Sequence, residues 1–98
     1  MTNPDAAQVF HNPGQHRFEL PIEGEAIAAA YYRRDDEGRF VLTHTEVPSE
    51  YEGRGLGSAL ARGVFEIARA QGYKLVLRCE FMQGWYARHP EFSDVVDG

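Results

Sequence analysis

Alternating apolar and polar residues predict β-strands in the first part of the chain. From His16 to Leu20 the side chains of Phe18 and Leu20 fall on one side of an extended segment, and Pro21 is expected to stop this strand. A shorter strand is predicted near Val9 and Phe10. The surrounding residues 1–15 are polar and rich in turn formers, so we expect residues 1–8 to be loose.

Residues 25–33 are ambiguous between helix and strand. Their alanines favour a helix, whereas Ile27, the adjacent tyrosines and the turn residues 36–38 favour the first arm of a hairpin. Residues 39–47 alternate in the way a returning strand does, and Pro48 ends them. We therefore predict a β-hairpin across residues 25–47.

The hydrophobic period changes from two residues to that of a helix after Pro48. A glycine-rich turn is followed by a helical stripe, and Gly72 is suited to end the helix in a left-handed conformation. A buried strand is then predicted at residues 74–79 and a second helix at residues 81–88, closed by His89 before Pro90. The stripe of the first helix consists of Leu56, Leu60, Val64, Ile67 and Ala68.

Composition fits one globular domain that spans residues 1–98. Of the 98 residues, 43% are apolar and 26% are charged, which is typical of soluble proteins. The net charge of −5 argues against nucleic acid as the main partner. Cys79 is the single cysteine, and the sequence has neither a signal peptide of usual form nor an apolar run that could span a membrane. We expect a cytoplasmic protein that does not bind membranes.

A strand, a glycine-rich turn and a helix form an arrangement that binds phosphates, because unpaired backbone N–H groups point out of the helix N-terminus. A Walker A loop is excluded, since no lysine lies near this turn. A dinucleotide fingerprint also fails: its third glycine would fall on Leu60 or on Ser58, depending on the register.

The turn fits a third pattern, which the GNAT superfamily of acyl-CoA N-acyltransferases carries as [Q/R]-x-x-G-x-[G/A]. Residues 52–57 occupy these positions, and Gly55 and Gly57 match. Glu52 stands where the family has glutamine or arginine, so a carboxylate lies where a phosphate is expected. The residues that this match assigns to the cofactor are Val47 at the end of the preceding strand and Gly53, Arg54, Gly55, Leu56, Gly57 and Ser58 in the turn.

Longer segments resemble one small branch of this superfamily, which consists of predicted acetyltransferases of about this length. The resemblance implies a minimal GNAT-like α/β (α+β) fold, a mixed and mostly antiparallel sheet with two flanking helices. It also implies acetyl-CoA as co-substrate, held between two diverging strands, and an N-acetyltransferase whose amine acceptor is unknown. The matching segments are His11-Asn12, residues 17–20, Tyr31-Tyr32, residues 43–48, Cys79 and residues 89–92.

Three side chains are candidates for catalysis. Cys79 stands between a strand and a helix, where N–H donors lower a thiol pKa; it either accepts the acyl group transiently or lines the pocket. The resemblance implies Tyr86 as a candidate acid for the leaving thiolate, because residues 85–92 are similar to the segment in which many GNAT enzymes carry such a tyrosine, with one extra residue and no glycine; packing is the alternative. His44 is a candidate base, with a purely structural role as the alternative.

Two other functions stay open at this point. A non-enzymatic domain that binds CoA as a sensor or protein-interaction module is compatible with the small size, with Glu52 and with the lack of a clear base. A small α/β domain without a cofactor is the third possibility. The four histidines and the cysteine have no usual metal-ligand spacing, so no metal is expected.

Overall fold

The structure, a computed structural model, describes residues 8–98. Most of the segment predicted to be loose, residues 1–7, lies outside the described residues. The described chain forms a five-stranded sheet in the order β1-β2-β3-β4-β5, with antiparallel pairs from β1 to β4 and a parallel pair β4–β5. The expected mixed, mostly antiparallel sheet is confirmed. Its strands are β1 (Phe10–Asn12), β2 (Arg17–Glu23), β3 (Ala26–Arg34), β4 (Phe40–Glu46) and β5 (Leu75–Leu77), and the helices are α1 (Leu56–Gln71) and α2 (Glu80–Arg88).

Strand β2 continues through Pro21, so the prediction that this proline stops the strand was wrong. Pro21 lies opposite Ile27 of β3, and the register shifts only between Pro21 and Glu23. Strand β1 pairs with β2 no further than Glu19, which leaves β2 as an edge strand at Pro21. A proline is tolerated there because an edge strand does not need every N–H for its ladder.

The alanine-rich segment forms strand β3 of the predicted hairpin. Ala28 and Ala30 are completely buried in the core beneath α1, where small side chains let the helix approach the sheet closely. The turn after β3 is held by Asp35, whose side chain accepts hydrogen bonds from the backbone N–H groups of Glu37 and Arg39. Tertiary packing therefore outweighs the helical propensity of the alanines, and the segment forms a strand.

Both helices pack on the same face of the sheet. The buried side chains of α1 and α2 form one cluster with alternate residues of the strands, and the rings of Phe65 and Trp85 lie 5.0 Å apart where the helices meet. Gly72 ends α1 at φ 75°, as predicted. The strand residues between the core positions, Ala29, Val41 and Val76, lie outside this cluster on the opposite face. No helix in residues 8–98 has both the length and the apolar character needed to cross a bilayer.

Aromatic side chains pack around His11 of β1. The His11 ring stacks on Phe18 at 4.6 Å, and its Nε2 lies 2.6 Å from the hydroxyl of the buried Tyr32. Burial lowers the pKa of His11 below its ordinary value, and the charge of Arg34 adds to this effect. The protonated ring is therefore less stable in the folded protein than in the unfolded chain.

This shift predicts a pH dependence of folding stability. The folded pKa is lowered, so the stability is complete above the unfolded pKa of about 6.5 and falls as the pH drops below it. We expect the free energy of unfolding to decrease more for the wild type than for His11→Gln between about pH 7.5 and about pH 5.5. Urea titrations of both proteins measure this difference, and parallel losses in the two proteins would contradict it.

Candidate active site

The parallel strands β4 and β5 separate after a ladder of three residue pairs. Their ladder ends at Leu42 and Leu77, and the last contact is the N–H of Arg78 donating to the carbonyl of Leu42 at 3.0 Å. Beyond Leu42, β4 continues to Glu46 and is paired only with β3. The second half of β4 therefore presents an open backbone edge beside the start of α2.

A β-bulge contributes to this separation. Tyr32 lies opposite Leu42, whereas its neighbour Tyr31 lies opposite His44, so Thr43 is an extra residue in β4. Bulges bend a strand and increase its twist. The bend lies at the point where β4 leaves β5.

The glycine-rich turn leads from this open edge into α1. Gly53 and Gly55 have φ values of 82° and 75°, and no atom lies within 4 Å of the position of a Cβ at either residue. Gly55 is the N-cap of α1 and supplies no capping side chain. The first helical N–H with an acceptor is that of Ala59, which donates to Gly55, so those of residues 56–58 have no acceptor within the described chain. Such N–H groups bind anions.

Two arginines, one in the turn and one two helical turns further along α1, lie over aromatic rings. The Arg54 guanidinium lies over the ring of Tyr51 at 5.2 Å, and that of Arg62 lies over Trp85 at 5.4 Å. Neither forms an ion pair within residues 8–98. Arg54 was expected from the sequence, but Arg62 was not, because its proximity to the turn depends on the contact with α2.

The N-terminus of α2 faces the first turn of α1. Phe81 is 40% exposed, and its ring lies so close to Gly57 that a Cβ there would be 2.8 Å from the ring carbon Cζ. One helical turn later, the indole N–H of Trp85 donates to the Ser58 hydroxyl at 3.0 Å. A side chain at position 57 would therefore displace the Phe81 ring from the first turn of α1.

Cys79 is the N-cap of α2 and lies beside the open edge of β4. Its side chain is buried, and its Sγ lies 3.2 Å from Oγ1 of Thr45 on the open part of β4. The thiol thus lies between a hydroxyl and the N-terminus of a helix whose cap makes no side-chain hydrogen bond. Thr45 was not singled out from the sequence, since only the fold brings it to Cys79.

His44 and Tyr86 lie apart from this pair. The His44 ring is exposed, stacks on Tyr31 at 5.9 Å and has its Nε2 3.6 Å from a carboxylate oxygen of Glu46. Because neighbouring strand residues point to opposite faces, His44 lies across β4 from Thr45. Tyr86 stacks on Phe65 at 6.2 Å and is about 10 Å along the helix from Cys79.

Comparisons with known proteins agree with this geometry. The sequence profile of the GCN5-related N-acetyl-transferase family matches residues 17–95. The chain belongs to this family. The solution NMR structure of a GCN5-like protein from Staphylococcus aureus has a TM-score of 0.69 at 26% identity and covers 95% of this chain and 90% of its own. Protein NATD1 of Gallus gallus is 29% identical over 85% of this chain and 76% of its own, and that of Homo sapiens 27% identical over 85% and 74%.

Members of the GCN5-related family generally use acetyl-CoA, and the residues of this chain fit its chemistry. The uncapped N–H groups of α1, the open space at Gly53 and Gly55, and the two free arginines suit a pyrophosphate. The open edge of β4 suits the amide groups of an extended arm. Within residues 8–98, no cluster of histidine, cysteine and carboxylate side chains is arranged to hold a metal ion.

The left-handed conformation of Gly55 predicts the stability of an alanine variant. Gly55→Ala should lower the free energy of unfolding by about 1–2 kcal/mol, because a Cβ is disfavoured at positive φ. Gly84→Ala is the matched control within α2: its Cβ meets only the end of the Arg88 side chain at 3.9 Å, so it should stabilise the protein by roughly 0.5–1 kcal/mol. Urea denaturation measures both, and equal effects would contradict the assigned conformations.

Proposed function

We propose that this protein is an N-acetyltransferase that transfers an acetyl group from acetyl-CoA to an amine. The observation that carries the proposal is the uncapped, glycine-lined N-terminus of α1 beside the open edge of β4, in a chain of the GCN5-related family. The helix N-terminus can bind the phosphate groups of an extended ligand, and the open edge of β4 can bind the amide groups of the same ligand. The lone Cys79 makes a reducing compartment such as the cytoplasm the expected location.

The turn would hold the pyrophosphate mainly through its backbone. The N–H groups from Gly53 to Ser58 surround the helix N-terminus, where the helix dipole also attracts an anion. Arg54 and Arg62 add positive charge, which offsets the carboxylate of Glu52. Because the contacts are to backbone atoms, this site tolerates an unusual side chain at position 52.

The open edge of β4 would bind the arm of the cofactor in the way that a strand binds an added strand. A backbone N–H near Val47, at the end of this edge, is the proposed donor that polarises the thioester carbonyl. Such a donor stabilises the transition state, because negative charge develops on the carbonyl oxygen during the reaction. The cofactor supplies the activated acetyl group, and the protein supplies position and charge stabilisation.

Cys79 would meet the acetyl group at the end of this arm. Before the attack, Thr45 would stabilise the Cys79 thiolate as a hydroxyl donor. The thiolate would attack the thioester carbonyl carbon, so that an acyl bond to Cys79 forms as the bond to the CoA sulfur breaks, and the thiol proton leaves with CoA. The acceptor amine would then take the acyl group and give up a proton, which restores the thiol. In the alternative direct route, the amine attacks the thioester itself and Cys79 only lines the pocket.

The acceptor amine must lose a proton before or during the transfer. His44, whose Nε2 lies 3.6 Å from a carboxylate oxygen of Glu46, is the proposed base. Tyr86 is the proposed acid for the leaving thiolate, since no described group engages its hydroxyl. The net charge of −5 favours a cationic acceptor such as a polyamine or a lysine-rich segment.

Calorimetric titration tests the cofactor. We expect saturable binding of acetyl-CoA and CoA at micromolar concentrations, and weaker binding of dephospho-CoA, which carries less negative charge. Binding without turnover on any amine would favour the CoA-binding sensor or interaction module instead. Absence of binding to all three compounds would overturn the acetyltransferase proposal.

A Cys79→Ala variant separates the two chemical routes. We expect the variant to bind CoA with unchanged affinity within about twofold, because the thiol is not a phosphate or amide contact. Intact-protein mass spectrometry after incubation with acetyl-CoA should show an acetyl adduct on the wild type and none on the variant. Full turnover by Cys79→Ala would exclude the covalent route.

A further inference from the structure

Helix α2 contacts the first turn of α1 through a buried tryptophan. Trp85 is fully buried, and its indole N–H donates to Oγ of Ser58 at 3.0 Å. The ring of His89 stacks on the indole at 3.8 Å, and the ring of Phe65 packs against it at 5.0 Å with a tilt of 42°. A rigid donor therefore determines which way the Ser58 hydroxyl can point.

The hydrogen bond leaves the proton of Ser58 available. A serine hydroxyl has one proton to donate and two lone pairs that accept. One lone pair of Ser58 takes the indole N–H, and the hydroxyl donates to no group within residues 8–98. Ser58 is exposed and lies in the first turn of α1, next to the backbone N–H groups that have no acceptor.

We propose that Trp85 is a positioning residue, which holds the Ser58 hydroxyl as an O–H donor to the pyrophosphate of CoA. The inference rests on the proposed function, because it concerns the same anion site. An anion at the turn attracts the free proton of Ser58, and the indole N–H prevents the hydroxyl from turning its proton towards α2. The phosphate gains a donor whose orientation is set before the ligand arrives.

A mutant cycle measured by calorimetric titration with CoA tests this coupling. Trp85→Phe removes the indole N–H and keeps an aromatic ring, while Ser58→Ala removes the hydroxyl. Each should weaken CoA binding by roughly fivefold to tenfold, the size expected for the net contribution of one hydrogen bond that is exchanged with water. The double variant should bind no more weakly than Ser58→Ala alone, because Trp85 acts only through Ser58. Ser58→Thr, which retains the hydroxyl, should restore most of the affinity.

Phe65→Leu is the matched control. It removes another ring that packs on Trp85 and leaves the indole N–H in place. We expect a loss of stability without a loss of CoA affinity. A loss of affinity in Phe65→Leu equal to that in Trp85→Phe would mean that Trp85 contributes only to packing, and it would overturn the inference.

The emission of Trp85, the single tryptophan of the chain, gives a readout that does not depend on the Trp85→Phe variant folding. Addition of CoA should change the emission of the wild type with the affinity found by calorimetry, and the change should be largely lost in folded Ser58→Ala. An equal change in both proteins would overturn the inference. Wild-type protein that binds no CoA would refute the proposed function itself, whereas normal CoA binding by folded Trp85→Phe would refute the role of Trp85 alone.

Discussion

The parallel pairing of β4 with β5 determines the rest of the site. Parallel strands run towards the same edge of a sheet, so the helices that follow them start near that edge. Here the ladder lasts only from Phe40 and Leu75 to Leu42 and Leu77. This is long enough to align the two strands, and it leaves the end of β4 paired with β3 alone. One short ladder thus produces both the open strand edge and the two neighbouring helix N-termini.

The contact between the two helix N-termini has its own structural requirements. Phe81 and Trp85 are one turn apart on α2 and meet the neighbouring residues Gly57 and Ser58 of α1. A side chain at position 57 would push Phe81 away. The glycine-rich turn therefore satisfies two conditions at once: backbone approach to an anion, and close packing of α2.

Much of the fold could be predicted because local patterns and tertiary packing agree. Leu60, Val64 and Ala68 of the predicted stripe of α1, its end at Gly72 and the hairpin turn across residues 36–38 follow from periodicity and turn chemistry. The continuation of β2 through Pro21 could not be predicted, because it depends on how far β1 extends. The bulge at Thr43 likewise depends on pairing with β3 and leaves no sign in the residue types.

The candidate site was predicted only where its residues are close in sequence. The glycines and Cys79 were found from local motifs, and a family resemblance supported them. Thr45, Phe81 and Arg62 were missed, because each acquires its place through a partner from another element. The pattern of a single sequence indicates which face of a helix or strand is buried and where the chain turns. Contacts between different elements can be predicted only when the register of the sheet and the packing of the helices are known.

The distribution of ion pairs explains how an acidic chain can hold a polyanion. Three arginines remote from the turn form ion pairs: Arg17 with Glu19, Arg39 with Asp35 and Arg69 with Asp94. Arg54 and Arg62 form no ion pair within residues 8–98 and lie over aromatic rings, which stabilise a cation without cancelling its charge for a ligand. The net charge of −5 therefore describes the whole surface and not the turn. Glu23 and Glu50 add negative charge at Tyr51 beside Arg54, so the N–H groups at the start of α1, more than the local balance of side-chain charges, favour an anion.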